Sequence, residues 1–304
     1  MTAMLIVAFI ATLATSLALG QQIWLRQTQN LMDLAQAELL RQGALDYAAT
    51  MLTLEAKNSS IDDLTEQWAK PVALPVEGGS VTITVEDAQA RFNLNNVLQP
   101  DGKPNQEELG VFRRLLADPK INANPALAEA LVDWLDGDST VQPGGAEDLD
   151  YLNRNPPYRA ANRRVLASVD ELRLIKDYDA DTVNKLRPLV VTLPPNVQST
   201  INVNTAEPRV LAALTNLSVN QMEQMAKVRA SSPYKDKQQF SSQLPPDTKI
   251  TGGYDVKTGY FIVTVVAQIG RTQRIAEALV ERPPSGTPAA KPLWYRQPPI
   301  DIVL

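Results

Sequence analysis

The chain has 304 residues, and its 29 Lys and Arg against 34 Asp and Glu give a net charge of −5 and a pI near 5.0. A chain with this acidic balance is not expected to bind nucleic acid as its main task. The sequence has no Cys and no His, which excludes disulfides, thiolate metal sites and the commonest general base and so does not favour an enzyme.

The N-terminal region begins with an apolar run over residues 1–19 that has no charge, Gly, Pro, Asn or Gln. About 20 apolar residues can span a bilayer as a helix, and no basic segment precedes the run as in an ordinary signal peptide. The helical pattern continues to about residue 56, with apolar residues such as Ile23, Leu31 and Leu45 along one face. We predict one helix of about 55 residues, membrane-spanning over 1–20, whose second half packs on a globular domain.

Beyond this helix, the patterns predict strands on either side of a helical region. Residues 80–87 alternate β-branched and polar side chains, and 260–268 with 272–282 form a predicted β-hairpin that turns at Gly270-Arg271. A short helix is predicted at 61–70 and an extended link at 71–75. Further helices are predicted at 105–118, 125–136, 168–176, 179–189, 207–217, 220–230 and 235–243. The tail at 283–304 is Pro-rich, with a short strand predicted near Trp294-Tyr295.

Two segments open with the same pattern, in which apolar residues alternate with Asn just before a predicted helix. They are Phe92-Asn93-Leu94-Asn95 and Ile201-Asn202-Val203-Asn204-Thr205. Asn and Thr side chains in such positions cap a helix or bond the turn before it. The repetition predicts two related helical modules, at about 92–190 and 201–245.

A polar loop predicted at 137–157 follows one of these helices, and six carboxylates fall within the 18 residues from 133 to 150. Calcium takes six to eight oxygen ligands, which such a loop can supply from carboxylates and carbonyls. The spacing is not that of an EF-hand. The residues alone leave three uses open. These are a solvated acidic loop, a calcium site, or paired carboxylates among Asp133, Asp136 and Glu147 for acid–base catalysis in a hydrolase.

The segment that begins INVNTA resembles the helix-hairpin-helix family of DNA-binding modules. In that family a Gly-hydrophobic-Gly hairpin holds a DNA phosphate with its backbone N–H groups. Here the hairpin position is Asn216-Leu217-Ser218, without the glycines that let the backbone approach a phosphate. We therefore expect no nucleic-acid binding. A membrane-anchored helix-hairpin-helix protein of a DNA-uptake system is the alternative.

Several segments together resemble the minor pseudopilin K family of type II secretion systems. An apolar and then amphipathic N-terminal helix followed by strands is the pilin and pseudopilin plan. The family likeness is carried further by FNLNN from Phe92, by the acidic loop DWLDGD…EDLDYL, by RRVLASVDEL over 163–172, and by INVNTA from Ile201. In this family a short basic leader ending in Gly precedes the helix, so we expect one upstream of this sequence.

The resemblance implies an α+β fold in which a long pilin-like N-terminal helix packs on an antiparallel sheet, with a large inserted α-helical domain. Mapped onto this sequence, 21–91 holds the amphipathic helix and first strands, 92–245 the insertion with its acidic loop at 133–151, 246–282 the last strands and 283–304 the tail. It also implies calcium, with two ions. The implied ligand pool is Asp133, Asp136, Asp138, Thr140, Gln142, Glu147, Asp148 and Asp150.

The function that the resemblance implies is mechanical. Members of the family sit in the inner membrane of Gram-negative bacteria by a single span, with the globular part in the periplasm. They assemble with the minor pseudopilins I and J into the tip of the pseudopilus and nucleate its growth for protein export. Contacts with the major pseudopilin, minor pseudopilin H and secreted substrates are further expected partners. The resemblance implies neither catalysis nor nucleic-acid binding.

Overall fold

The computed structural model describes residues 1–162, 165–194, 198–283, 285 and 287–297. Arg163 and Arg164 of the family-like motif, and residues 298–304 of the Pro-rich tail, lie outside the described residues.

The chain begins with one uninterrupted helix, α1 (Thr2–Asn58), so the predicted single long helix is confirmed. Its first part is exposed along its whole length and is long and apolar enough to cross a membrane. Its last part, from Ala37 onward, buries a face of small and aliphatic residues that includes Ala37, Ala48 and Leu52. The helix ends at Ser59, where the backbone becomes extended.

The buried face of α1 packs on an antiparallel sheet. In chain order the strands within the described residues are β1 (Val72–Val76), β2 (Gly79–Asp87), β3 (Phe92–Asn93), β4 (Val190–Val191), β5 (Ile201–Asn202), β6 (Tyr254–Asp255), β7 (Tyr260–Ile269), β8 (Thr272–Glu281) and β9 (Lys291–Arg296). Five of them form the sheet in the order β1-β2-β7-β8-β9. Between sheet and helix, Leu52, Trp68, Ile83 and Phe261 build a core, with the Trp68 and Phe261 rings 5.1 Å apart.

The helices between β3 and β6 form a second core of their own. They are α2 (Gln106–Leu116), α3 (Leu127–Leu135), α4 (Asp148–Leu152), α5 (Ala180–Leu186), α6 (Pro208–Thr215), α7 (Val219–Arg229) and α8 (Lys237–Ser242). Phe92 and Phe112 stack at its centre with their rings 5.5 Å apart, beside Leu131 and Leu211. A long helix on an antiparallel sheet, with a block of helices inserted between β2 and β7, confirms the predicted α+β class.

The structure corrects four local predictions. Residues 61–70 hold only a three-residue 3-10 turn, Gln67–Ala69, because the Asp63 carboxylate accepts the N–H of Thr65 and so favours a turn over a helix. The link at 71–75 is the edge strand β1, where Pro75 is tolerated. Residues Val169–Leu174 form a 3-10 helix. The polar loop contains the short helix α4.

A buried polar junction joins the sheet to the inserted helices. It gives a structural role to the polar side chains of the second Asn-rich segment, which begins at Ile201. The carboxylate of Asp87, at the end of β2, accepts hydrogen bonds from the Asn202 amide at 2.8 Å and the Thr205 hydroxyl at 2.6 Å. The Asn202 side chain also bonds the turn, by accepting the N–H of Asn204 at 3.0 Å. The predicted turn-bonding role of these side chains is confirmed. Burial raises the pKa of Asp87 to about 6.

An ion pair lies in the same junction and is almost fully buried. The Arg282 guanidinium donates to both carboxylate oxygens of Asp62, at 2.7 and 2.6 Å, and to the carbonyl of Thr258 at 2.7 Å. It also lies over the ring of Phe261, 4.6 Å from the centroid. Asp62 precedes the sheet and Arg282 directly follows β8. The pair therefore joins the start of the globular part to its last central strand.

A second buried acid links α2 to the segment before β6. Glu108 is 6% exposed, and its Oε1 accepts the N–H of Gly253 at 2.8 Å, while no described residue bonds its Oε2. Burial raises the pKa of Glu108 to about 7. The folded protein therefore holds the proton of the Glu108 carboxyl group more tightly than the unfolded chain does. The stabilisation from the protonated Glu108 is complete below the pKa of the unfolded chain and is lost as the pH rises through 7.

Glu108→Gln should accordingly stabilise the protein at pH 8 and change little at pH 5. The amide keeps an acceptor for Gly253 but carries no charge to bury, so we expect a gain of about 1–3 kcal/mol at the higher pH. Urea unfolding of the full chain in detergent with chelator, followed by tryptophan fluorescence at both pH values, measures the difference. An equal effect of the substitution at pH 5 and pH 8 would contradict a raised pKa at this site.

Candidate metal centre

The acidic centre is built at the end of α3. This helix packs its apolar side into the second core through residues such as Leu131 and Val132, and Asp133 lies on its last turn. Asp136 ends the helix in an extended conformation, and Gly137 follows. The chain then loops outward and returns at 145–147, directly before α4 begins at Asp148. The helix end and the returning segment therefore face each other.

Three of the predicted ligands meet between these two segments. One carboxylate oxygen each of Asp136, Asp138 and Glu147 lies within 4.8 Å of the others. Asp136 and Glu147 are buried, and Asp138 is exposed. Three carboxylates this close repel one another unless a cation or protons lie among them.

Asp133 lies beside this cluster and is fully buried. Its Oδ2 accepts the backbone N–H of Gln142 at 2.9 Å, so it fixes the outward loop to α3. The loop approaches this carboxylate so closely that a Cβ at Gly145 would lie 1.9 Å from Oδ2. Only glycine fits here, because any other side chain would occupy the place of the Asp133 carboxylate.

The centre has carboxylate oxygens without hydrogen-bond donors. Asp133 Oδ1, Asp136 Oδ1 and Glu147 Oε1 are buried, and no described residue donates to them. Burial first, and then repulsion from Asp136, Asp133 and Asp138, raises the pKa of Glu147 to about 7. Burial, with repulsion from Asp136 and Asp138, raises the pKa of Asp133 to about 6. Orphaned, mutually repelling oxygens are the donor set that a hard divalent cation satisfies.

The other predicted ligands are engaged around the cluster. Asp148 accepts hydrogen bonds from Arg159 at 3.1 Å and from the N–H of Ala160 at 3.0 Å. Asp150 accepts the N–H of Glu147 at 3.2 Å and so helps to start α4. Thr140 and Gln142 donate their backbone N–H groups to Asp138 and Asp133. These bonds shape the loop around the three converging carboxylates.

The aromatic residues at the loop pack against one another. Trp134 and Tyr151 are both buried, with ring centroids 5.0 Å apart in an edge-to-face arrangement. Tyr158 joins them, and Arg154 lies over the Tyr151 ring. Two residues that shape the acidic centre were not predicted from the sequence. Gly145 makes the close approach to Asp133, and Lys176 bonds the loop from a distant segment.

Comparison with known proteins gives a consistent picture. Two sequence models, both described as "Type II secretion system (T2SS), protein K", match residues 90–195 and 201–257, together more than half of the chain. The type II secretion system protein K of Pseudomonas aeruginosa is 33% identical over 299 residues, covering 94% of this chain and 88% of that protein. The protein K of Aeromonas hydrophila is 30% identical, covering 92% of this chain and 90% of that protein.

A solved structure extends the likeness to three dimensions. One chain in the crystal structure of the GspK-GspI-GspJ complex from the type 2 secretion system of enterotoxigenic Escherichia coli superimposes with a TM-score of 0.78. The match covers 90% of this chain and 99% of that chain, at 27% identity. The resemblance found in the sequence motifs, the matching family models and this shared fold lead to one conclusion: the chain belongs to the protein K family of type II secretion systems.

Proposed function

We propose that the chain is a minor pseudopilin at the tip of the type II secretion pseudopilus, where it nucleates assembly with the I and J pseudopilins for protein export. The observation that carries this proposal is the fold match to a chain of the GspK-GspI-GspJ complex over 99% of that chain's length. The α1 helix supports it, because its exposed apolar half can lie in a membrane while its other half is fixed to the sheet. We place the helix in the inner membrane and the globular part in the periplasm.

The absence of Cys from the sequence makes the partner proposal directly testable by cross-linking. Tyr47→Cys places one thiol on an exposed site of α1, opposite the face that packs on the sheet. In membranes that contain the I and J pseudopilins of the same system, each with one introduced cysteine on its own helix, we expect cross-linked heterodimers. The unmodified chain is the control. Heterodimers absent at every cysteine pair along the helices, while the three proteins also purify separately, would contradict the proposal.

We further propose that the acidic centre holds calcium, two ions as in the family, and that the chain has no catalytic role. Asp136, Asp138 and Glu147 would hold one of the two ions, with Asp133 beside them. A bound cation would neutralise the repulsion between the end of α3 and the start of α4 and so stabilise the loop. The chemistry of the donor set favours calcium, since all the converging groups are hard oxygens.

Calcium should raise the thermal midpoint of the full chain in detergent relative to the same protein in chelator. A ligand that binds only the folded state stabilises it by about 2.7 kcal/mol at one hundred times its Kd. The matched variant Glu147→Gln removes one converging carboxylate, so its midpoint should respond much less. Lys185→Met, on an exposed ion pair of α5, serves as a control that keeps the full response. Equal midpoints in calcium and chelator, with no calcium in the purified protein, would refute the calcium site.

A further inference from the structure

The acidic centre is assembled from two chain segments that need an external support. Asp136 and Asp138 follow α3, whereas Glu147 comes back to them only after the loop. Their carboxylates repel each other across the gap. A cation site of useful affinity has its ligands held in place before the cation arrives, because ordering them on binding costs free energy.

One side chain from outside the loop reaches the returning segment. The ammonium of Lys176 donates to the carbonyl of Gly145 at 2.9 Å, two residues before Glu147. The backbone N–H of Lys176 donates to the hydroxyl of Tyr151 at 3.3 Å, and Tyr151 lies on α4. Lys176 therefore bonds the returning segment on both sides of Glu147.

Lys176 itself stands on a segment that is fixed to α3. Its neighbour Ile175 is buried in the second core. Two residues after Lys176, the buried Tyr178 donates a hydrogen bond from its hydroxyl to the carbonyl of Leu127 at 2.9 Å. Leu127 is the first residue of α3. The helix that carries Asp133 thus also anchors the segment that carries Lys176. A hydrogen bond from a charged donor, such as the one to Gly145, is stronger than a neutral one.

We propose that Lys176 is a positioning residue of the acidic centre, which holds Gly145–Glu147 against the end of α3 so that the carboxylates converge on a divalent cation. This inference rests on the proposed calcium site. It assigns to a residue outside the acidic loop an indirect effect on cation affinity. Lys176 does not touch the cation; it acts through the Gly145 carbonyl and the Tyr151 hydroxyl.

The direction of the change in calcium affinity distinguishes a positioning role of Lys176 from a simple effect of its charge. A lysine near a cation site repels the cation, so if its charge alone mattered, Lys176→Met would tighten calcium binding. If Lys176 positions the ligands, the same substitution weakens binding, and loss of an outer-shell partner typically costs about 10–100-fold in metal affinity. Lys176→Arg keeps a charged donor and should restore much of the affinity.

The test is calorimetric titration of calcium chloride into the full chain in detergent, with melting in calcium and in chelator alongside. We expect the Kd of Lys176→Met to rise at least about tenfold, with Lys176→Arg closer to wild type. Lys120→Met, an exposed lysine between α2 and α3, is the matched control and should leave the Kd unchanged.

The outcomes are distinct. Unchanged or tighter calcium binding by Lys176→Met, or an equal fall of its melting midpoint in calcium and in chelator, would overturn the positioning role and leave the calcium site standing. If the wild-type chain itself binds no calcium, the calcium site is refuted, and the role of Lys176 with it.

Discussion

Arg282→Ala should destabilise the protein by about 3–5 kcal/mol, because it leaves the Asp62 carboxylate buried without its partner. The side chains of both residues are less than 5% exposed. The charged Arg282 guanidinium donates a hydrogen bond to each carboxylate oxygen of Asp62. The substitution also removes the contact with the Phe261 ring and leaves space beside it. Urea unfolding of the full chain in detergent, followed by tryptophan fluorescence, measures the loss.

Two further variants separate the ion pair from simple packing. Asp62→Asn combined with Arg282→Met removes both charges and keeps most of the volume, so it should recover part of the loss from Arg282→Ala. Lys185→Met breaks an exposed pair four residues apart on α5 and should cost less than about 0.5 kcal/mol. Equal costs for the buried and the exposed pair would contradict the structural importance assigned to the junction.

Elements with a strong periodicity of apolar residues were predictable from the sequence. The single helix α1 follows from continuous apolar spacing that contains no Pro and is weakened only at Gly20 and Gly43. The β7–β8 hairpin follows from two apolar runs around Gly270-Arg271. The strand β1 was missed because Pro75 argues against a strand unless the strand is known to lie at an edge. The helix α4 was missed because five residues within an acidic loop carry too little periodicity to stand out.

The buried junction could not have been predicted, since its contacts join residues far apart in the chain. Asp87 bonds Asn202 and Thr205 more than 100 residues later, and Asp62 meets Arg282 after 220 residues. Local patterns carry no information on such pairs. The sequence motif at Ile201 predicted only that its polar side chains would bond a turn. The structure adds that the same side chains also bind the inserted helices to the sheet.

The acidic centre was predictable as a region, and its arrangement was not. Charge density marked the loop, and Asp136 and Asp138 are neighbours in sequence. Glu147 joins them only because the loop returns, and Asp148, next to it, turns away to bond Arg159. The family resemblance placed these two adjacent acids in the same ligand pool. Hydrogen bonds from Lys176 and to Asp133 decide which acids face inward, and neither bond has a signature in the sequence.

Gly145→Ala tests this arrangement with a single methyl group. The added Cβ would lie 1.9 Å from Asp133 Oδ2 and 2.6 Å from its Cγ, so the carboxylate or the loop has to move. Forced shifts of this kind cost about 1–3 kcal/mol. Because the movement also separates the converging carboxylates, the variant should lose the calcium response, worth about 2.7 kcal/mol at one hundred times Kd. In calcium the two effects together give a loss of about 4–6 kcal/mol.

The same substitution at Gly110 is the matched control. Gly110 lies within α2, and a Cβ there would approach nothing closer than Arg114 Nη1 at 3.5 Å. Alanine in a helix interior is favoured over glycine by about 0.5–1 kcal/mol, so Gly110→Ala should stabilise the protein and keep its calcium response. Melting of both variants in calcium and in chelator gives the comparison. A Gly145→Ala protein that melts like the wild type in both conditions would mean that the loop does not approach Asp133 as closely as the structure places it. Equal destabilisation of Gly145→Ala in calcium and in chelator would instead mean that the packing of Asp133 does not affect cation binding. Asp136, Asp138 and Glu147 would then bind the cation without help from Asp133.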